Sequence, residues 1–240
     1  MEHMRSLRLG CCLAMIGTLL VACSEKTIRI NSATQRVLAV QQEIVAIHYL
    51  PVPFTAEPPE VRHTALGAEQ FGLIGAVIAA RAQTAEAKEV GSQLVKDYGL
   101  EDPILKIKRA FLDAASRHGN LHNINSIQEA LADDGRESLA KRFQNGLVFD
   151  FKTTTWSITP LLLNLHHYHV QYMGRARLLS LPDGKIEWQG ICEAEGKMEE
   201  GAPTLLQLVA NSGALLKAQL ASAADSCSEQ LERQFMGSTP

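Results

Sequence analysis

The side chains best suited to chemistry lie in one alternating stretch of the sequence. His167 and His169 fall on the same face of a predicted strand, about 6 to 7 Å apart, a workable spacing for two metal ligands. A metal site needs three or four ligands, and no cysteine or acidic residue lies at a spacing that would complete one. Arg175 and Arg177 continue this face, where they suit an anionic ligand or are offset by Glu187 on the next strand. The sequence therefore gives a candidate ligand face, with exposed polar residues on a half-buried strand as the alternative.

No catalytic signature accompanies these residues. The chain has neither a Gly-x-Ser-x-Gly nucleophile elbow nor a Gly-rich phosphate loop followed by Lys-Ser or Lys-Thr. Asp150 and Lys152 alternate on one predicted strand face, where a solvated surface is a simpler interpretation than an acid–base pair. With 23 basic and 26 acidic residues, the composition does not favour nucleic-acid binding, which calls for a basic patch. We therefore predict a protein that is not an enzyme and has no cofactor or metal, with a hydrolase of unrecognised type as a weaker alternative.

Long strands must position the candidate ligand face. Tyr168, Val170 and Tyr172 alternate with the polar residues, as expected of a half-buried strand. The sequence Leu181-Pro182-Asp183-Gly184 suits a type I turn, and we expect a three-residue hairpin loop with a glycine bulge. That loop predicts four cross-strand pairs: Leu181 with Lys185, Ser180 with Ile186, Leu178 with Trp188, and Ala176 with Gly190.

Further elements are predicted on both sides of this hairpin: a first strand at residues 36–50, and helices at 68–98, 103–118 and 203–233. Asp102 and Pro103 suit the N-cap and N1 positions of the second of these helices. Ser126 and Glu129 suit a capping box ahead of another helix that ends near Phe143. The pattern contains one hydrophobic core and no repeat. We therefore expect one domain over residues 36–240, of α/β or α+β class, with a mixed, mostly antiparallel sheet covered by helices.

Glycines interrupt the start of the first predicted helix. Gly72 and Gly75 each cost about 1 kcal/mol relative to alanine inside a helix, so close packing is expected to offset that cost. One interpretation is packing in a homo-oligomer or against lipid, since small residues let backbones approach. The interpretation we favour is tight packing of this helix on its own sheet.

The N-terminus has the composition of a secretory signal. Arg5 and Arg8 precede an apolar run, LGCCLAMIGTLLVA, that ends in a small residue. A membrane-spanning helix needs about 20 apolar residues, and this run is shorter. We therefore predict a cleaved signal peptide at residues 1–22, followed by an N-terminal tether at residues 23–35.

The residues at the predicted cleavage site, Leu20-Val21-Ala22-Cys23, resemble the lipobox of bacterial lipoproteins. The resemblance implies lipid attachment to the Cys23 thiol and cleavage after Ala22. Ser24 stands where retention in the inner membrane usually calls for aspartate, which favours the outer membrane. An ordinary secreted protein cut near the same place is the alternative.

The five cysteines then divide into three groups. Cys11 and Cys12 leave with the signal peptide, and Cys23 carries lipid. Cys192 and Cys227 remain, an even number in an oxidising compartment. Cys192 ends the last predicted strand and Cys227 lies on the apolar stripe of the last predicted helix, so both thiols face one sheet–helix interface. We therefore predict a disulfide between them.

The strand hairpin also carries a family resemblance. Its segments, residues 175–179, 183–185 and 188–190, resemble the RLxD…GKVLWxG strand pair of several envelope lipoproteins. The helix start at residues 71–75 and the Asp102-Pro103 cap are similar to an uncharacterised Gram-negative outer-membrane lipoprotein family. A more distant similarity links the chain to α/β lipoproteins that assist envelope assemblies, including the curli secretion channel, although the long membrane hairpins of that channel are not clearly present here.

This resemblance implies location and fold more than activity. It suggests an outer-membrane lipoprotein facing the periplasm that acts as a non-enzymatic accessory or assembly component, with an envelope protein as partner. The alternative is a periplasmic lipoprotein that binds a ligand or metal through the face carrying His167, His169, Arg175 and Arg177.

Overall fold

The computed structural model describes residues 26–30, 43–57, 72–118, 121, 123–197 and 201–237, with the backbone alone at residues 72–83 and 118. Within these ranges the chain forms six strands and four helices. The strands are β1 (Ile44–Tyr49), β2 (Thr55–Ala56), β3 (Ile124–Leu131), β4 (Gly146–Leu161), β5 (Asn164–Leu181) and β6 (Lys185–Glu195). The helices are α1 (Gly72–Tyr98), α2 (Ile104–His118), α3 (Arg136–Phe143) and α4 (Leu205–Met236).

The strands form one mixed sheet in the order β3-β1-β4-β5-β6, and β2 pairs with β4. β1 is parallel to both β3 and β4, while β4, β5 and β6 form an antiparallel meander. The sheet is open, and the chain is a single α+β domain, which confirms the predicted fold class. β1 begins at Ile44, and residues 36–42 of the predicted first strand lie outside the described residues.

The hairpin between β5 and β6 has the predicted register over most of its length. Leu178 pairs with Trp188, and Gly184 has a φ of +63°, as a glycine bulge requires. Near the tip, however, Ser180 pairs with Lys185 and the register shifts between Leu178 and Leu179. The predicted pairs at the tip are therefore wrong by one residue, because the extra residue of β6 lies inside the strand.

This bulge sends Ile186 and Trp188 to opposite faces of the sheet. Trp188 belongs to the main core, where it stacks on Phe111 of α2 and contacts Phe235 of α4 edge-on. Ile186 packs against a second cluster instead. Strict alternation along β6 would place both side chains on one face, and the one-residue insertion reverses that alternation.

The second cluster is a smaller core on the opposite face of the sheet. Its buried members are Ile47, Tyr49, Leu131, Leu139, Val148, Leu179 and Leu181. Leu139 belongs to α3 and Leu131 to β3, so the segment from β3 to α3 covers this face. The sequence predicted one core, and the structure has one on each side of the sheet.

Of the two predicted helix caps, one is present in the structure and the other is not. Asp102 accepts a hydrogen bond from the Ile104 N–H at 3.0 Å, in agreement with the predicted cap of α2. Ser126 and Glu129 instead lie in β3, and α3 begins only at Arg136, so the predicted capping box there is wrong. Parallel pairing of β3 with β1 outweighs the local preference.

The last helix starts from a capping box made by Thr204 and Gln207. It is kinked at residues 210–213, where Gly213 has a φ of +73°. Among the described residues, no helix has both the length and the apolar composition that a bilayer crossing requires.

Candidate functional site

The arginines of the candidate ligand face are buried in ion pairs. Arg177 Nε donates to both carboxylate oxygens of Asp150 at 3.0 Å, and Arg175 Nη2 lies 2.9 Å from Asp134 Oδ2. Arg175 is 6% exposed and Arg177 7% exposed. They therefore do not line an open surface, and their partners include Asp134 and Asp150.

Asp150 lies at the centre of this buried network. It is fully buried and also accepts a hydrogen bond from the Tyr49 hydroxyl at 2.8 Å. Burial, with the neighbouring Asp150 carboxylate, raises the pKa of Tyr49, so this hydroxyl remains protonated. Lys152 reaches Asp134 at 2.9 Å. The interpretation as a solvated face is therefore wrong for Asp150, which is fully buried, whereas the Lys152 side chain remains 29% exposed.

Asp134 joins two cations at the edge of the network. Burial opposes its ionisation, but hydrogen bonds and charge from Lys152 and Arg175 outweigh burial and lower its pKa to about 2. The carboxylate therefore remains charged at any physiological pH. The network fixes the position of the β3–α3 segment on the sheet.

The two histidines of the candidate face have different surroundings. His169 Nδ1 lies 3.6 Å from Glu195 Oε1 on β6. His167 belongs to the part of β5 that bridges to Thr204, and its buried Nδ1 has no hydrogen-bond partner. No group of three or more His, Cys, Asp or Glu side chains suited to a metal ion occurs among the described residues.

His167 lines a cavity of about 630 Å³ between the start of β5 and helix α4. Gln219 of α4 lines the same cavity; it is 3% exposed, and its Oε1 has no hydrogen-bond partner. The remaining lining residues are Lys197, Gly201, Ala202, Pro203, Gln207, Leu215, Ala218 and Ser222. Sequence reasoning missed Gln219, although a glutamine three residues after Leu216, on the apolar stripe of a helix, was a usable signal.

A second polar cluster lies between α2 and the sheet. Lys108 is 3% exposed, and its Nζ lies 3.2 Å from His48 Nδ1 and donates to the Ile127 carbonyl at 2.8 Å. Burial, with the charge of Arg109, lowers the pKa of Lys108. Burial, with the charge of Lys108, lowers the pKa of His48. The pair is therefore sensitive to protonation, and the sequence did not single it out.

A 410 Å³ cavity adjoins the start of α2. Asp102 lines it with Lys106 and Lys217, and its Oδ1 accepts a hydrogen bond from Thr153 at 2.6 Å. Burial raises the pKa of Asp102, and the hydrogen bonds from Thr153 and the Ile104 N–H oppose that shift. These bonds tie α2 to β4, which gives Asp102 a structural role beyond its cap.

The remaining predicted residues are placed as follows. A disulfide joins Cys192 and Cys227, with Cα atoms 5.1 Å apart and both residues fully buried. Gly72 and Gly75 lie in the first turns of α1, where only the backbone is described. Cys23 lies outside the described residues.

The N-terminal segment at residues 26–30 is part of the folded domain. Ile28 and Gln189 of β6 exchange two backbone hydrogen bonds, at 2.9 and 3.0 Å, and the Gln189 amide donates to the Lys26 carbonyl at 2.8 Å. Ile30 is buried in the main core. These residues fall within the range predicted as a tether, so that range includes a segment fixed to the sheet edge.

Solved structures of other proteins resemble this chain only distantly. No family model and no curated protein matches the chain. Among solved structures, the PelC dodecamer from Paraburkholderia phytofirmans has 8% identity and a TM-score of 0.37, covering 88% of this chain and 96% of that one. Lipoprotein GNA1162 from Neisseria meningitidis has 18% identity and a TM-score of 0.23, covering 77% and 99%. A chain described as a lipoprotein from Caulobacter crescentus CB15 has 12% identity and a TM-score of 0.28, covering 56% and 83%. At these values none of the three defines a family for this chain.

Proposed function

We propose that the protein is a lipid-anchored, non-enzymatic component that assists or builds a complex at the outer membrane and faces the periplasm. In this proposal residues 1–22 are removed and Cys23 carries the lipid. The observation that carries the proposal is the docking of residues 26–30 on β6. Only Ser24 and Glu25 separate Cys23 from this docked segment.

The short connection limits how far the domain moves from its anchor. Five residues lead from Cys23 to Ile28, and an extended chain of that length spans at most about 18 Å. Because Ile28 is bonded to Gln189, the β6 edge of the sheet is held at the bilayer surface. Such an attachment suits a protein that must present one defined face to a neighbour.

The opposite end of the molecule has an apolar tip. Leu162 and Leu163 form the turn between β4 and β5 and are 79% and 99% exposed. Fourteen residues separate Leu163 from Arg177, the β5 partner of Gln189, which is about 46 Å at the strand rise. The distance from the docked segment to the tip, measured along β5, is therefore much longer than the span of the tether. This separation supports an envelope protein as the partner of the tip. Exposed apolar side chains that cluster in this way are typical of interaction sites.

The anchor is tested by labelling cells with a clickable palmitate analogue. We expect label on the wild-type protein, which fractionates with the outer membrane, and none on a Cys23→Ala variant. Equal labelling of both proteins would contradict the lipid attachment. Label on a protein found in the inner membrane would contradict the sorting alone.

The partner is tested by photo-crosslinking in intact cells. A benzophenone amino acid at position 163 should give a discrete heavier product that contains this chain and one envelope protein. The same amino acid at Leu105, which is 43% exposed on α2, serves as the matched control and should give no such product. A protein that remains monomeric with the crosslinker at position 163 would contradict an assembly role for the tip.

Homo-oligomerisation through Gly72 and Gly75 is a separate proposal. If α1 packs against a second copy, Gly72→Leu should change the sedimentation coefficient measured by analytical ultracentrifugation. An unchanged monomer would assign these glycines to packing within the chain.

A ligand-binding lipoprotein is the second candidate function. The observation that favours it is the pair of unpartnered polar atoms, His167 Nδ1 and Gln219 Oε1, on one cavity. Arg175 and Arg177 have no part in this site, because both are held in buried ion pairs.

A further inference from the structure

The wall of the 630 Å³ cavity contains a polar residue, Gln219, at a buried position of α4. It lies between Leu216 and Leu220 on the buried stripe of α4, is 3% exposed, and has no partner for Oε1. A buried amide oxygen without a hydrogen bond destabilises a fold, and a leucine at this position would avoid that cost. Oε1 is enclosed in the free protein, and a rotation of the amide towards the cavity that Gln219 lines would bring Oε1 within reach of a donor.

The other polar lining groups indicate the charge of a ligand. Lys197 is an exposed cation, and His167 Nδ1 is a second buried polar atom without a hydrogen-bond partner. Among the described lining residues these two are the chargeable ones, and both favour an anion. Pro203, Leu215 and Ala218 supply an apolar wall. The volume lies within the range of about 300 to 1,000 Å³ that is usual for small-molecule sites.

We propose that this cavity binds a small organic carboxylate that also carries a hydroxyl donor. The carboxylate lies towards Lys197 and His167, and the hydroxyl donates to Gln219 Oε1. This inference goes beyond the anchoring and assembly role and deepens the second candidate function, on which it rests. It involves neither the apolar tip nor Cys23, so its failure leaves the proposed assembly role untouched.

Three probes separate the parts of this proposal in a thermal-unfolding experiment on the purified full chain. D-glucuronate offers a carboxylate and hydroxyls, D-glucose offers hydroxyls alone, and acetate offers a carboxylate alone. We expect glucuronate at about a hundredfold excess over its Kd to raise the melting temperature by roughly 5 °C or more. Glucose and acetate should give clearly smaller shifts. No shift with glucuronate, or equal shifts with glucose or acetate, would overturn the proposal.

Variants then assign the binding to this cavity. Lys197→Gln should leave the melting temperature of the free protein unchanged and abolish the glucuronate shift. Lys217→Gln is the matched control, since Lys217 is an exposed lysine of α4 that lines the other cavity, and it should retain the shift. A glucuronate shift that survives Lys197→Gln would show binding elsewhere and would overturn the assignment.

The variant Gln219→Leu provides a second test, in which the free protein gains stability but no longer responds to glucuronate. Removing the unpartnered amide should raise the melting temperature of the free protein by about 2 to 4 °C and abolish the glucuronate shift. A purely structural glutamine would instead lower the melting temperature when replaced. If this variant does not fold, the Lys197→Gln measurement decides ligand binding.

Discussion

Asp150 and Arg177 face each other across β4 and β5, and Arg177 Nε donates to both carboxylate oxygens at 3.0 Å. Both side chains are at most 8% exposed. A carboxylate and a guanidinium buried in this way stabilise each other, although water would solvate each of them better than the protein interior does. Their arrangement explains why a strand face that reads as polar in the sequence is buried.

Breaking this pair should be costly. Arg177→Met leaves the Asp150 carboxylate buried without its cation, and we expect a loss of about 3 to 5 kcal/mol in the free energy of unfolding. Adding Asp150→Asn removes the charge and keeps an acceptor for Tyr49, so the double variant should be more stable than Arg177→Met. Urea unfolding of the four proteins in this cycle measures the coupling.

An exposed pair provides the control for that cycle. Arg233 and Glu229 are both 68% exposed on α4, and Arg233→Met should change the free energy of unfolding by less than about 1 kcal/mol. If the losses for Asp150→Asn and Arg177→Met simply add, the two side chains are not coupled as the structure indicates.

The disulfide should contribute measurably to stability. Cys192 and Cys227 are 35 residues apart, and the chain-entropy model gives about 3 to 4 kcal/mol for closing a loop of that length. Replacing both cysteines with alanine should therefore lower the free energy of unfolding by at least that amount. Non-reducing peptide mapping of protein purified from cells checks the bond directly. Two unlinked peptides with alkylatable thiols would show that the cysteines are not paired in the cell.

At Gly91, helix α1 lies directly against the backbone of Phe54 and Thr55, at the start of β2. A Cβ at this position would lie 2.0 Å from the backbone oxygen of Phe54. Glycine to alanine in a helix normally stabilises a protein by roughly 0.5 to 1 kcal/mol. Here we expect Gly91→Ala to destabilise the protein by about 1 to 3 kcal/mol, because the backbone of Phe54 must move. Ser92→Ala, at the exposed neighbouring position, should have little effect in the same thermal-unfolding assay.

Protonation of His48 should weaken the fold in acid. Burial and Lys108 lower its pKa in the native state, so the unfolded chain binds more protons between the native pKa and about 6.5. The contribution of His48 is therefore complete above about pH 6.5 and is lost as the pH falls towards the native pKa, at no more than about 1.4 kcal/mol per pH unit. His48→Gln should flatten the decline in stability between pH 7 and 5. Replacing His166, which is exposed, should leave the slope unchanged.

Several features of this protein follow from local sequence patterns. Two-residue alternation indicated the long strands β4, β5 and β6, and helical periodicity placed Cys227 on the buried stripe of α4, opposite Cys192. The Asp102 cap was also readable, because a capping side chain bonds to a backbone group only two residues away. These features depend on neighbours along the chain or on one repeating period.

Other features depended on which segment covers which face. Alternation showed that Arg175 and Arg177 share a face, but it carried no information about the β3–α3 segment that buries them. Asp134 lies 41 residues before Arg175 in the sequence and meets it only because β3 pairs in parallel with β1. The cavity residue Gln219 and the docking of Ile28 on Gln189 are likewise set by contacts between distant segments. The sequence alone determined strands β4 to β6, the Asp102 cap and the cysteine pair, whereas tertiary packing decided which polar groups are buried, because burial depends on the elements that cover each face.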